Sequence, residues 1–164
     1  MLTLVLVLSL ALPAFAAEAE GGVLTRGKFV ARLFALDGAE DAQPAQSAFA
    51  DVPADGALAR AVGWAEENGL ITGISPELFA RNAPLTREAM AVLLLRMGAA
   101  DGRRESGMHA SDFADADRVS PWAAEAVEQC VSAGLLRGVS ETELEPGGTL
   151  TRASLAVLLA RLSP

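Results

Sequence analysis

At 164 residues, 51% hydrophobic and with a net charge of −8, the chain has the size of one compact domain and the wrong sign of charge for nucleic acid. A single cysteine excludes an internal disulfide framework, and a single histidine with no second His or Cys beside it leaves zinc chemistry and a Cys–His nucleophilic pair unsupported. Thirteen basic residues, twelve of them arginine, stand against 21 acidic ones, so any anionic ligand would have to be held by a local arginine site.

The first element in chain order is an apolar run, Leu2 to Leu12, of signal-peptide length and too short to span a bilayer. Ala14-Phe15-Ala16 follows it with the small-x-small cleavage pattern. Residues 1–16 are therefore expected to direct export and to be removed, leaving no stable membrane span. The word Leu-Thr-Arg then occurs three times, at 24–26, 85–87 and 150–152, each time opening an apolar run. Thr is a good N-cap, its hydroxyl accepting one of the exposed backbone N–H groups. The Leu before it can pack on the fourth helical residue, here Phe29, Met90 and Leu155.

Sliding the chain by 65 residues lays "AVGWAEENGLITG" (61–73) on "AVEQCVSAGLLRG" (126–138). Upstream, "FADV" (49–52) meets "FADA" (113–116) at a shift of 64. The spacing predicts a first helix over 57–68 and again over 122–133, where Ser120 reads as the cap and Pro121 as the first helical residue. Gly69 and Gly134 fall where a left-handed stop is wanted. A second helix begins at each Leu-Thr-Arg word. Units are expected at 49–98 and 113–164, with a partial unit and linker at 17–48 and a linker at 99–112. The fold expected is all-α, a set of helix–loop–helix repeats whose first copy is incomplete.

The repeats account for the Leu and the Thr of the word but not for the Arg. Arg26, Arg87 and Arg152 stand at the first helical position, where a positive side chain faces the positive end of the helix dipole. Two explanations stay open. One is an anionic ligand, met by free N–H groups and a guanidinium fork at the helix start. The other is an internal ion pair with Asp51 or Asp115 of the neighbouring "FAD" words. Trp64 reads as core, and Trp122 equally as core or as a surface for stacking a sugar. Cys130, in "AVEQCVSAG", reads as a small buried side chain.

Together, "FADVPADGALARAVGWAEENGLITG…LFARNAPLTREAM" and "FADADRVSPWAAEAVEQCVSAGLLRG…ELEPGGTLTRASL" resemble the S-layer homology (SLH) domain family over about residues 23–162. The resemblance implies a bacterial extracellular module in which three units gather around a pseudo-threefold axis. It implies non-covalent attachment to the cell wall through an acidic secondary polysaccharide, often pyruvylated, held in grooves between units. By position it nominates Arg26, Arg87 and Arg152 for those grooves, with Trp122 matching the aromatic at the start of the family's first helix. Ala57 stands where the other full unit would have that Trp, and Gly27, Lys28 and Ser154 also depart from the family word.

The leading expectation is thus a secreted, non-enzymatic, wall-associated binding module without metal or cofactor. A scaffold that pairs with itself or with another exported protein is the alternative. A glycan hydrolase has little support, because adjacent carboxylates such as Glu66–Glu67 diverge by about 100° on a helix instead of facing across a cleft.

Overall fold

Each Leu-Thr-Arg word starts a helix at its arginine. The computed structural model describes residues 22–162 apart from residues 42 and 45, so the expected export signal lies outside the described residues. It contains α1 (Arg26–Leu36), α2 (Gly56–Glu67), α3 (Arg87–Arg96), α4 (Ala124–Ser132) and α5 (Arg152–Leu162), joined by loops and short 3₁₀ turns. Among the described residues there is no strand, and no helix is long and apolar enough to cross a membrane. The all-α reading holds.

The caps are as the residues predict. Thr25, Thr86 and Thr151 Oγ1 accept from the third helical amides of Lys28, Ala89 and Ser154 at 3.4, 3.3 and 3.1 Å. The staple pairs Leu24 and Phe29, Leu85 and Met90, and Leu150 and Leu155 are all buried in one core. Gly69 and Gly134 end α2 and α4 at φ +66° and +70°, where a side chain would be strained. Ser120 is the exception. Expected as a cap, it donates its hydroxyl to Glu88 Oε1 and its amide to Glu88 Oε2, both at 3.0 Å. The third unit's first helix accordingly opens with a 3₁₀ turn, Pro121–Ala123, before α4 begins.

The three words meet. The Leu24 amide donates to Leu150 O (2.8 Å), the Leu150 amide to Leu85 O (2.9 Å) and the Leu85 amide to Leu24 O (2.9 Å), closing a ring of three hydrogen bonds. A second tier follows, in which the amides of Arg26, Arg87 and Arg152 donate to Ala83, Gly148 and Gly22 O at 3.0, 3.0 and 3.1 Å. Around this hub α1 packs on α2 and α3 on α4, the second helix of one unit lying against the first helix of the next. The core includes Phe29, Leu33, Val62, Phe79, Leu85, Leu94 and Val127, with Trp64 packed at 5.6 Å from Phe34. Cys130 is buried there too, and desolvation pushes its thiol up to about 12.

The "FAD" carboxylates organise the loops. Asp51 accepts from the amides of Phe79 and Arg81, and Asp115 from those of Leu144 and Glu145, all at 2.8 Å. Desolvation raises the Asp51 pKa, but the amides of Arg81 and Phe79, its own amide and the charge of Arg81 outweigh it and hold the group below its ordinary value. Asp115 is held low chiefly by the Leu144 amide, against desolvation. A depressed folded-state pKa adds stability that is fully present above the unfolded value and is lost as pH falls through the folded one. The stability that these two carboxylates supply is therefore expected to be lost, and urea midpoints to drop, below about pH 4. Asp115→Asn is expected to be less stable at pH 7 with a shallower acid drop; an unchanged drop in that variant would remove Asp115 from the account.

Candidate functional site

The starts of α1 and α3 do not form anion sites. At α1 and α3 the first two amides go to protein carbonyls, those of Gly27 and Glu88 donating to Arg81 O and Pro146 O at 2.9 Å, and the third goes to the Thr hydroxyl. The arginines turn away from these amides, toward the loop of the next unit. Arg26 Nε donates to Phe79 O (3.1 Å) and Nη2 to Thr72 O (3.3 Å), with the guanidinium 4.9 Å from the Phe79 ring centre. Arg87 Nε donates to Leu144 O (2.8 Å) and Nη2 to Arg137 O.

Neither arginine forms the carboxylate pair that the sequence left open. An ion pair within 4.0 Å is found elsewhere, between His109 of the linker and Glu128 of α4, at 2.7 Å. Instead each guanidinium reaches its "FAD" carboxylate through one residue. The Phe79 amide binds Asp51 while the Phe79 carbonyl binds Arg26, and Leu144 relays between Asp115 and Arg87 in the same way. Burial lowers the pKa of both arginines, with Asp51 opposing it at Arg26. At Arg87, Glu145 and Asp115 oppose it and Arg161 adds to it. Nη1 of each makes no hydrogen bond to the described residues, so one edge of each fork stays available.

Arg26 and Arg87 line two separate grooves. The first, about 110 Å³, is lined by Arg26, Thr72, Ala89, Val92, Arg96 and Trp122. The second, about 180 Å³, is lined by Arg87, Arg137, Ser154, Val157, Leu158 and Arg161. Trp122 apart, the residues named for the first correspond to residues of the second under the shifts of the repeat. In each, the word arginine of one unit meets an arginine near the end of the next unit's second helix. That second arginine is also fixed by a carbonyl: Arg96 Nη1 donates to Leu70 O and Arg161 Nη1 to Leu135 O, both at 3.1 Å.

Trp122 is 62% exposed, which settles its reading against core. It stands on the turn that Glu88 pins through Ser120, so the second unit's word positions an aromatic supplied by the third. Of the four nominated residues, Arg26 and Trp122 share the first groove and Arg87 lies in the second. Arg152 lines neither; its guanidinium lies along Gly22, where an added Cβ would be 3.5 Å from Nε. Arg96, Arg137 and Arg161 escaped the sequence reading. The 65-residue shift that aligns the glycines also lays Arg96 on Arg161, and that was the available signal.

The sequence profile described as S-layer homology domain matches residues 48–91 and 112–156. The surface-layer 125 kDa protein of Lysinibacillus sphaericus is 35% identical over 116 residues, which is 69% of this chain and 10% of that protein. An amylopullulanase of Thermoanaerobacterium thermosulfurigenes is 28% identical over 138 residues, 83% of this chain and 7% of that enzyme. The chain thus spans a tenth or less of the length of these relatives. With both full units matched over more than half of its residues, it belongs to the S-layer homology domain family, non-catalytic modules associated with the cell wall and cell surface.

Proposed function

We propose that the chain attaches itself, and any protein joined to it, to a bacterial wall by gripping an acidic secondary polysaccharide in the two inter-unit grooves. In this reading the ring of three words is the axis of a pseudo-threefold array, and the grooves are the spaces between its members. The observation that carries the proposal is the pair of matched grooves, one holding two arginines and the other three, with no carboxylate within 4.0 Å of them among the described residues. Arginine forks suit carboxylate and phosphate groups. In a chain of net charge −8, these grooves are where a polyanion would find positive charge.

Size supports the same reading. Volumes of about 110 and 180 Å³ are well below the roughly 300 Å³ at which enclosed small-molecule sites begin. They suit a terminal acidic substituent of a polymer, with Trp122 offering a flat face to the sugar that carries it.

Co-sedimentation with purified Gram-positive-type walls tests the proposal. The chain is expected to pellet with intact walls and to remain in the supernatant once the secondary polymer has been stripped. Equal pelleting with stripped walls, or none with either, would overturn the reading.

A further inference from the structure

The two grooves are alike enough that their differences are informative. Arg87, Ser154, Val157 and Arg161 of the second stand where the first has Arg26, Ala89, Val92 and Arg96. The largest change is Arg137 in place of Thr72. Arg137 is exposed, and its own carbonyl accepts from Arg87 Nη2, so its side chain departs from a point tied to the word arginine. Ser154 adds a hydroxyl, 3.0 Å from Thr151 Oγ1, where Ala89 has none. Trp122, in turn, lines only the first groove.

The second groove therefore gathers three guanidinium groups where the first has two guanidinium groups and an indole. Like charges brought together repel, and Arg161 shows it. Its pKa is lowered first by burial and then by Arg137, while Arg161 in turn lowers that of Arg87. The carboxylates acting on this groove are Glu145 and Asp115, and neither comes within 4.0 Å of Arg87. Asp115 is already committed to two loop amides. A ligand bearing two negative charges relieves this repulsion more than one bearing a single charge, and a phosphate monoester offers three acceptor oxygens to the three guanidinium groups where a carboxylate offers two.

We propose that the Arg87–Arg137–Arg161 groove selects a doubly charged oxyanion, a phosphate monoester on a sugar. The Arg26–Arg96–Trp122 groove takes a singly charged sugar acid laid against the indole. This rests on the reading that the grooves bind a wall polymer, and it assigns different parts of that polymer to each.

Glucose 6-phosphate and glucuronate share one ring and differ in charge near neutral pH, so they serve as probes. Backbone amide shifts of Gly138 and Ser154 report the second groove; the Thr72 amide and the Trp122 indole report the first. At low salt, glucose 6-phosphate is expected to bind the second groove at least about tenfold more tightly than glucuronate, a difference of about 1.4 kcal/mol. Arg137→Thr is expected to abolish the preference, and Thr72→Arg to install it in the first groove. Equal binding of the two probes, no response at the second groove, or a preference that survives Arg137→Thr would each overturn the proposal. Wall co-sedimentation separates the two failures: a chain that pellets with intact walls but shows no preference loses only this assignment. A chain with the preference that ignores walls loses only the wall reading.

Discussion

Gly138→Ala is expected to destabilise the fold by about 3 kcal/mol, and Gly73→Ala by a similar amount, through overpacking against backbone. Neither glycine is needed for an unusual φ; the reason is space. A Cβ on Gly138 would meet the Ser140 carbonyl, with Phe113 Cε1 at 2.5 Å and Glu143 O at 2.8 Å. A Cβ on Gly73 would meet the Ser75 carbonyl, Phe49 Cε1 at 2.5 Å and Leu78 O at 2.7 Å. Those carbonyls close the loop, since Glu143 O and Leu78 O accept from the amides of Val139 and Ile74 at 2.8 Å. Both rings are buried, Phe113 at 3% and Phe49 at 7% exposure, so relief comes at the cost of moving a core side chain or opening the loop's hydrogen bonds. The Phe belongs to the same "FAD" word as Asp115 or Asp51, so moving it disturbs the relay that seats Arg87 or Arg26. For a domain of this size the loss corresponds to a fall in melting temperature of about 6–12 °C. Gly147→Ala, with nothing within 4 Å of its added Cβ, is the control and is expected to stay within about 0.5 kcal/mol of the parent. A Gly138→Ala protein that melts with the parent would mean that the loop around Ser140 re-forms without loss.

This glycine shows what the sequence made legible and where it stopped. Gly73 and Gly138 recur, as do Phe49 and Phe113, but a recurrence does not say that one residue lies beneath the other. Features governed by neighbours along the chain were readable: the Thr caps, the Leu staples, the Gly stops and the arginines as first helical residues. Contacts between units were not. The aspartates were suspected as ion-pair partners of the arginines, and the partner proved to be the carbonyl of the residue whose amide binds the aspartate. That a guanidinium prefers two carbonyl oxygens to a nearby carboxylate depends on Asp51 and Asp115 being occupied by amides first. The free N–H groups imagined at the helix starts vanish for a related reason, because the segment entering the next word runs across them. Trp122 could not be assigned from its position, since its exposure follows from Glu88 holding Ser120 across the unit boundary.

The double variant Arg26→Ala, Arg87→Ala is expected to lose wall binding by at least about 100-fold, while either single variant loses roughly tenfold. Each arginine brings a charge-assisted fork to its own groove, and a hydrogen bond of that kind is worth about 1.5–3 kcal/mol. A polymer held at two grooves on one module also gains from the second contact being intramolecular, so removing both sites costs more than removing one. The same substitutions have a structural cost. They strip donors from Phe79 and Thr72 carbonyls in one loop and from Leu144 and Arg137 carbonyls in the other. A part-buried carbonyl left without a donor costs about 1–3 kcal/mol, so binding isotherms and urea unfolding curves belong on the same samples. Arg87→Lys separates the two effects, because it keeps the charge but cannot span Leu144 O and Arg137 O together. If charge alone holds the polymer, the Lys variant binds walls like the parent. If the fork also orients the free Nη1 edge, as the relay from Asp115 through Leu144 implies, it binds nearly as weakly as the Ala variant. A folded double Ala variant that pellets with walls like the parent would move the ligand out of these grooves altogether.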